Sequence, residues 1–225
     1  YTVYYEKNKN IKVGTVTMYV IAKNDSTKIK GSFKQTFKIV TRPLTDRHIT
    51  VSTPAGGTYS GSKVTPNVIV KLDNKVLQKG KDYSITYKNN VNVSTNTDKK
   101  PSLRISGKGN YIGFVEKTFE ISPRNIGDHG MKVTALAVAE NKTPKIKLKN
   151  GSKTLTLNRN YVITKISRNA DQTVVYEYDR NTQKTKLPKI KDAGTYTATL
   201  EGVEKGGYTG NREVIFHVID KNHLI

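Results

Sequence analysis

The chain has 225 residues, with 39 Lys or Arg against 18 Asp or Glu, a net charge of +21 and no cysteine. Without cysteine there is no disulfide scaffold, thiolate metal site or cysteine nucleophile, and no apolar run approaches the length of a membrane span. Only 35% of residues are hydrophobic, which suits antiparallel sheets with one face in water.

Residues 1–42 open with the alternating run Tyr1-Thr-Val3-Tyr-Tyr5. A polar Lys/Asn loop follows, then strands over Val13–Val20 and Gly31–Ile39. Position 1 is Tyr and falls inside a strand pattern, so the chain reads as a piece of something longer. Three strands are too few for a closed sandwich, and the front half of this unit reads as missing.

Residues 43–122 give a complete unit. Arg47–Val51 is a short first strand and Gly56–Gly61 a turn. Thr65-Pro66 precedes a strand in which Val68, Val70 and Leu72 share one face. Asp73-Asn74 is a hairpin turn candidate. Tyr83-Ser-Ile85-Thr-Tyr87 alternates, Asn89 to Lys100 is a polar loop, and Ser102–Ser106 and Val115–Ile121 finish the unit. Six or seven short strands with regular turns is the pattern of a β-sandwich.

Residues 123–225 repeat it. Thr143-Pro144 and Tyr161-Val-Ile163 each lie 78 residues after Thr65-Pro66 and Tyr83-Ser-Ile85. Tyr1 to Tyr83 and Phe37 to Phe119 are both 82 apart. Asn150-Gly151 predicts a type I′ hairpin. About twenty residues, around 167–190, are inserted before Asp192, as an extra hairpin or a protruding loop.

A glycine-bearing turn feeding a strand organises all three units. It is Gly107-Lys-Gly-Asn-Tyr111-Ile-Gly113 before Phe119 and Ile121, with relatives at Gly31–Ile39 and Gly206–Val218. Phe37 with Ile39, Phe119 with Ile121 and Phe216 with Val218 are expected to face inward. Gly107, Gly109 and Gly113 are expected to supply positive φ. Tyr111 and Tyr208 are expected to pack over the corner, with Phe33 as counterpart. Pro43 and Pro123 are expected to end pairing and stiffen the junctions.

The run from Thr65-Pro66 through Asp82-Tyr83-Ser-Ile85-Thr-Tyr87 to Gly107-Lys-Gly-Asn-Tyr111 and Thr118-Phe119 resembles a known repeat. It is similar to the Ig-like tandem repeats of large surface proteins from Clostridia-type Gram-positive bacteria. Ser94 stands where that family usually has Gly, and the insert has no counterpart in the pattern. The resemblance implies an all-β chain of tandem Ig-like β-sandwich domains in a linear array: a partial repeat at 1–42, a repeat at 43–122 and a third at 123–225. It implies secretion and display at a bacterial cell surface or cell wall, as a stalk, spacer or adhesive segment, and no catalysis. The implied partners are neighbouring repeats of the same polypeptide.

Charge is spread evenly, with 9 basic and 2 acidic groups in 1–42, 12 and 6 in 43–122, and 18 and 10 in 123–225. A nucleic-acid domain concentrates its charge on one face. Even spreading predicts a lysine-rich solvated surface, with salt-dependent attraction to polyanions such as anionic cell-wall polymers, and no specific nucleic acid.

No enzyme is expected. His48, His129, His217 and His223 sit at unrelated positions, and no HExxH, GxSxG or P-loop pattern is present. No cofactor or metal is expected: Asp128-His129 reads as a solvated turn, and calcium-loop spacing is missing. The candidate ligand-binding residues are Tyr176 and Tyr178, which fall on one face of the inserted strand with Val174. An exposed tyrosine pair would stack on sugar rings and make the third unit a glycan- or host-ligand-binding module; the alternative is that this face packs on the sandwich. Lys117 points with Val115 and Phe119. It is either one half of an internal isopeptide crosslink or an edge-strand lysine that blocks aggregation.

Overall fold

The computed structural model describes residues 1–6, 11–94, 100–182 and 186–220. Parts of the two expected polar loops (7–10 and 95–99), a piece of the insert (183–185) and His223 lie outside the described residues. The fold is all-β, with several sheets in sandwich-like pairs. The chain gathers into two compact units: Tyr1–Ala55 with Pro66–Lys88 and Ser102–Phe119, and Gly56–Thr65 with Asn89–Pro101 and Glu120–Ile225.

In the first unit, β1 (Thr2–Tyr5), β2 (Gly14–Ile21) and β3 (Ser32–Ile39) form an antiparallel sheet with β2 in the middle. The register pairs Val3 with Val20, Tyr5 with Met18, Val16 with Phe37 and Val20 with Phe33. Directly paired residues share a face, so one face of this sheet is almost wholly apolar. Most of it is open: Phe33 is 59% exposed and Phe37 39%, while Val16 is fully buried. A cleft of about 710 Å³ runs over it, lined by Tyr1, Val3, Met18, Val20, Ile29 and Phe33.

After β4 (Arg42–Pro43) come β5 (Ile49–Val51), β6 (Gly57–Thr58), β7 (Val70–Leu72), β8 (Lys75–Val76), β9 (Tyr83–Lys88), β10 (Ser102–Gly107), β11 (Tyr111–Ile112), β12 (Phe114–Thr118) and β13 (Ile121–Ser122). β5-β7-β8 is one antiparallel sheet and β9-β10-β12 another. Val70, Leu77, Tyr83, Leu103, Ile105 and Phe119 are buried. The Tyr87 hydroxyl donates to the Pro66 carbonyl at 2.9 Å, tying β9 to the segment that leads into β7.

The second unit continues with β14 (Arg124–Asn125), β15 (Met131–Leu136), β16 (Val138–Ala139), β17 (Lys145–Asn150), β18 (Lys153–Thr154), β19 (Tyr161–Arg168), β20 (Val174–Glu177), β21 (Gly194–Gly202), β22 (Tyr208–Thr209) and β23 (Asn211–Ile219). β15-β17-β18 is one sheet and β16-β23-β21-β19-β20 the other. Between them lies a continuous core that includes Met131, Ile146, Leu148, Ile166, Tyr196 and Phe216. Tyr196 stacks on Phe216 at 5.7 Å between ring centroids, and the buried Tyr161 hydroxyl donates to the Ile146 carbonyl at 3.0 Å.

The element order of β4–β13 recurs in β14–β23, with β20 added. The registers recur too. Ile49 opposite Leu72 and Val51 opposite Val70 match Met131 opposite Asn150 and Val133 opposite Leu148. Tyr83 opposite Gly107 and Ile85 opposite Ile105 match Tyr161 opposite Gly202 and Ile163 opposite Leu200. Even the short parallel pairs correspond: β4 with β11 and β14 with β22, β6 with β13 and β16 with the end of β23. The sheet β1-β2-β3 has the order of β9-β10-β12 and of β19-β21-β23.

Several local expectations are corrected. Phe37 is not buried, unlike Phe119 at 5% and Phe216 at 2% exposed, although Val16 opposite it is. Phe33 does not pack over a corner; it pairs with Val20 within that sheet. The 150–153 hairpin is not type I′. Asn150 pairs with Lys153, so Gly151 and Ser152 form the loop, and Gly151 carries the positive φ of 60° while Ser152 does not. That is the φ signature of a type II′ turn. Part of Gly56–Gly61 is a strand, Gly57–Thr58, beside Ile121–Ser122. Pro43 does not end pairing, because it sits within β4 between Arg42 and Leu44, whose amides donate to the Asn110 and Ile112 carbonyls at 2.9 Å. The missing proline N–H falls at a position where none is needed.

Truncating these three phenylalanines should give unequal losses in urea unfolding. Phe119→Ala and Phe216→Ala should each cost about 3–5 kcal/mol, and Phe37→Ala about 1 kcal/mol. A Phe37 loss as large as the other two would contradict an open first sheet.

Candidate functional site

The insert begins where β19 runs on to Arg168 and turns back into β20, which pairs antiparallel with it. An Asx turn helps the reversal: the Asp171 carboxylate accepts from the Thr173 amide at 3.1 Å, and this hydrogen bond holds the carboxyl below its ordinary range. A bulge follows, with Ser167 opposite Val174 and Ile166 opposite Tyr176. Ile166 is fully buried, so Tyr176 shares its core-facing side, and it packs against the edge of the core with Val175. Burial, then the neighbouring Tyr178, pushes the Tyr176 phenol above its ordinary value. Val174 is exposed.

Tyr178 is half-buried, and its amide donates to the Thr164 carbonyl at 2.8 Å, prolonging the pairing beyond β20. Its side chain lines a groove of about 630 Å³ together with Val162, Arg180, Glu201, Val203 and Asn211. Arg180 pairs with Glu201 across this groove. Asp179 caps the turn that follows, accepting from the Thr182 hydroxyl at 2.7 Å and the Asn181 amide at 2.8 Å, which lowers its pKa. Tyr176 and Tyr178 are therefore neighbours without forming one exposed aromatic platform: the first belongs to the core margin and the second to the groove.

The other residues singled out in the sequence are dispersed. The His48 ring lies 2.9 Å from the Asp73 carboxylate at the surface, and the His217 ring lies 3.2 Å from the Thr195 hydroxyl on β21. Asp128 faces Arg124 at 3.8 Å in the turn before β15. No group of three or more His, Cys, Asp or Glu among the described residues could hold a metal ion. Lys117 is exposed on the edge strand β12, opposite the buried Leu103. That is the placement of an edge lysine. Ser94 fills its position with polar bonds: its Oγ accepts from the Ile121 amide at 2.8 Å, and its own amide donates to the Ile121 carbonyl at 3.0 Å.

Two seats at the glycine-bearing turns went unseen in the sequence. In the first unit, the Asn110 side chain accepts from the Val13 amide at 3.3 Å and donates to the Ile11 carbonyl at 3.1 Å. In the second, Tyr59 meets Tyr208 edge to face at 5.5 Å. Its ring also covers Gly207, where a Cβ would fall 2.3 Å from Cε1 of Tyr59. Gly207 has φ of 90°, so both its conformation and its neighbour exclude a side chain. Each turn thus receives a segment from earlier in the chain. The legible signal was the turn motif itself. Its receivers are a loop and a lone tyrosine, which have no periodicity.

Substitutions in the insert should separate packing from display. Tyr176→Ala should cost about 1–3 kcal/mol and Tyr178→Ala less, measured by urea unfolding. Equal and negligible effects would contradict the placement of Tyr176 at the core margin.

No protein-family model matches the chain, and no curated protein sequence matches it. Among solved structures, it is similar to domains 7, 8 and 9 of the S-layer protein SbsC, with 14% identity over 93% of this chain and 70% of that one. The TM-score is 0.24, too low to carry an inference from that protein to this one.

Proposed function

We propose that the chain is a positional segment of a bacterial surface protein, a stalk or spacer made of one closing half-repeat, 1–42, and two repeats, 43–122 and 123–225. The observation that carries this reading is the recurring turn that receives an earlier segment of chain: Asn110 holds Ile11 and Val13, and Gly207 with Tyr208 holds Tyr59. A module whose own turn seats what precedes it stacks by nearest-neighbour interfaces, as repeat arrays do. The extracellular location, at a cell surface or cell wall, rests on the sequence resemblance given above.

Spatial proximity groups 56–65, 89–101 and 120–122 with the residues that follow, whereas element order groups them with 43–122. We follow element order, because the pairing of β6 with β13 mirrors that of β16 with the end of β23. In this reading the apolar face of β1-β2-β3 is the face that a sheet like β5-β7-β8 or β15-β17-β18 covers in the other two units. A second reading keeps the glycan-binding module: Tyr178 and the Arg180–Glu201 pair line a groove beside the insert.

Pulling single molecules from both ends tests the spacer reading. Independent modules should unfold in separate events, with contour increments of roughly 27 nm for 43–122 and roughly 33 nm for 123–220, at about 3.4 Å per residue. One event releasing both lengths together would contradict modular stacking. A glycan array probed with the same protein should stay silent; a signal that Tyr178→Ala abolishes would favour the second reading.

A further inference from the structure

The outward face of β15-β17-β18 is a lysine face. Lys145, Lys147 and Lys149 alternate along β17, and Lys132 lies directly opposite Lys149. All four are exposed. Residues 131–136 and 145–154 contain no Asp or Glu, and among the described residues no carboxylate pairs with any of the four. Glu140, nearby in sequence, is engaged by the Ala193 amide at 3.1 Å. A shallow groove of about 250 Å³ runs over the face, lined by Lys145, Lys147 and Lys149 with the hydroxyls of Thr134 and Thr154 and the apolar Leu136.

The scaffold does not require this charge. The matched positions in β5-β7-β8 and its lead-in are Thr50, Asn67, Ile69 and Lys71, one lysine in place of four, on the same register. Like charges directly opposite each other on a sheet are destabilising, and Lys132 beside Lys149 is such a pair where the other sheet has Thr50 beside Lys71. A face that carries an avoidable repulsion, with no counter-charge of its own, is complementary to an anion supplied from outside.

We propose that this face binds an extended anionic polymer bearing one charge about every 7 Å, the spacing of alternate residues along a strand. The polymer class is a polyol phosphate. Single-stranded nucleic acid also carries phosphodiesters, but its binding sites add aromatic side chains on which bases stack, and this groove has none. The site is independent of the spacer reading: it rests on the second unit alone.

The test is titration of the full chain with poly(glycerol phosphate), with an oligo-dT of equal charge as comparator, from 50 to 300 mM salt. The triple variant K132Q/K147Q/K149Q is compared with K75Q/K108Q/K189Q, which removes the same charge from scattered exposed sites. Each neutralised contact should remove about 0.7 from the slope of log K against log salt. The face variant should therefore lose about 2 from that slope and at least tenfold in affinity at 100 mM salt, and the scattered variant less than twofold. Thermal melting of the face variant should match or exceed that of the parent, because a like-charge pair has been removed. Equal losses in both variants would overturn the site and leave only attraction by net charge. Oligo-dT binding as tightly as the polyol phosphate through the same lysines would overturn the assigned polymer class.

Discussion

A β-strand alternates its side chains between two faces, so a sheet with one apolar face needs something laid over that face. This chain makes the same three-stranded sheet three times and meets the need twice. In the third sheet, Ile163, Leu200 and Phe216 lie under β15-β17-β18 within one continuous core. In the second, Leu103, Ile105 and Phe119 are buried in a unit that also buries Val70 and Leu77 from the β5-β7-β8 side. In the first, the corresponding Met18 and Val20 are only half-buried and Val3, Phe33 and Phe37 are exposed, with Val16 the one fully buried residue of the face among the described residues. Identical patterning with different burial shows that the pattern specifies the sheet, while the presence of a second sheet decides the core.

The glycine-bearing turns are the other fixed points, and their glycines act in different ways. Gly109 and Gly113 take positive φ, as the turn demands. Gly107 does not: a Cβ there would fall 2.7 Å from the Ile112 nitrogen, so it is glycine because β10 and the returning backbone run too close for a side chain. Gly202 is the same case, with Thr209 backbone at 2.5 Å. The turn is therefore shaped by backbone proximity as well as by torsion. The close approach leaves β11 and β22 free to pair with the incoming strands β4 and β14, which bury Leu44 and Ile126 just beyond them.

The all-β class and the positions of the long strands were legible because alternation and the 78- and 82-residue spacings are local signals. Tyr83 with Ile85, Tyr161 with Ile163 and the buried Phe119 and Phe216 followed from period two alone. The parallel two-residue pairs were illegible: Gly57–Thr58 has no alternation to show, and its partner Ile121–Ser122 lies more than sixty residues away. The hairpin at Gly151 was misassigned by one position, since Asn-Gly and Gly-Ser are both turn dipeptides and only the cross-strand register chooses between them. Tyr176 could not be placed from alternation, because the bulge between Ile166 and Ser167 resets which side chains face the core. The lysine run on β17 was plain in the sequence, but its partner Lys132 joins it only through strand pairing.

The central claim is that one recurring sheet exists in covered and uncovered forms within a single polypeptide. Amide hydrogen exchange followed by mass spectrometry tests it most directly, by comparing the three middle strands, Gly14–Ile21, Ser102–Gly107 and Gly194–Gly202. All three are paired on both sides, so local hydrogen bonding is matched and the difference is what covers the face. The first strand should exchange much faster than the other two. Equal protection across all three would contradict the claim.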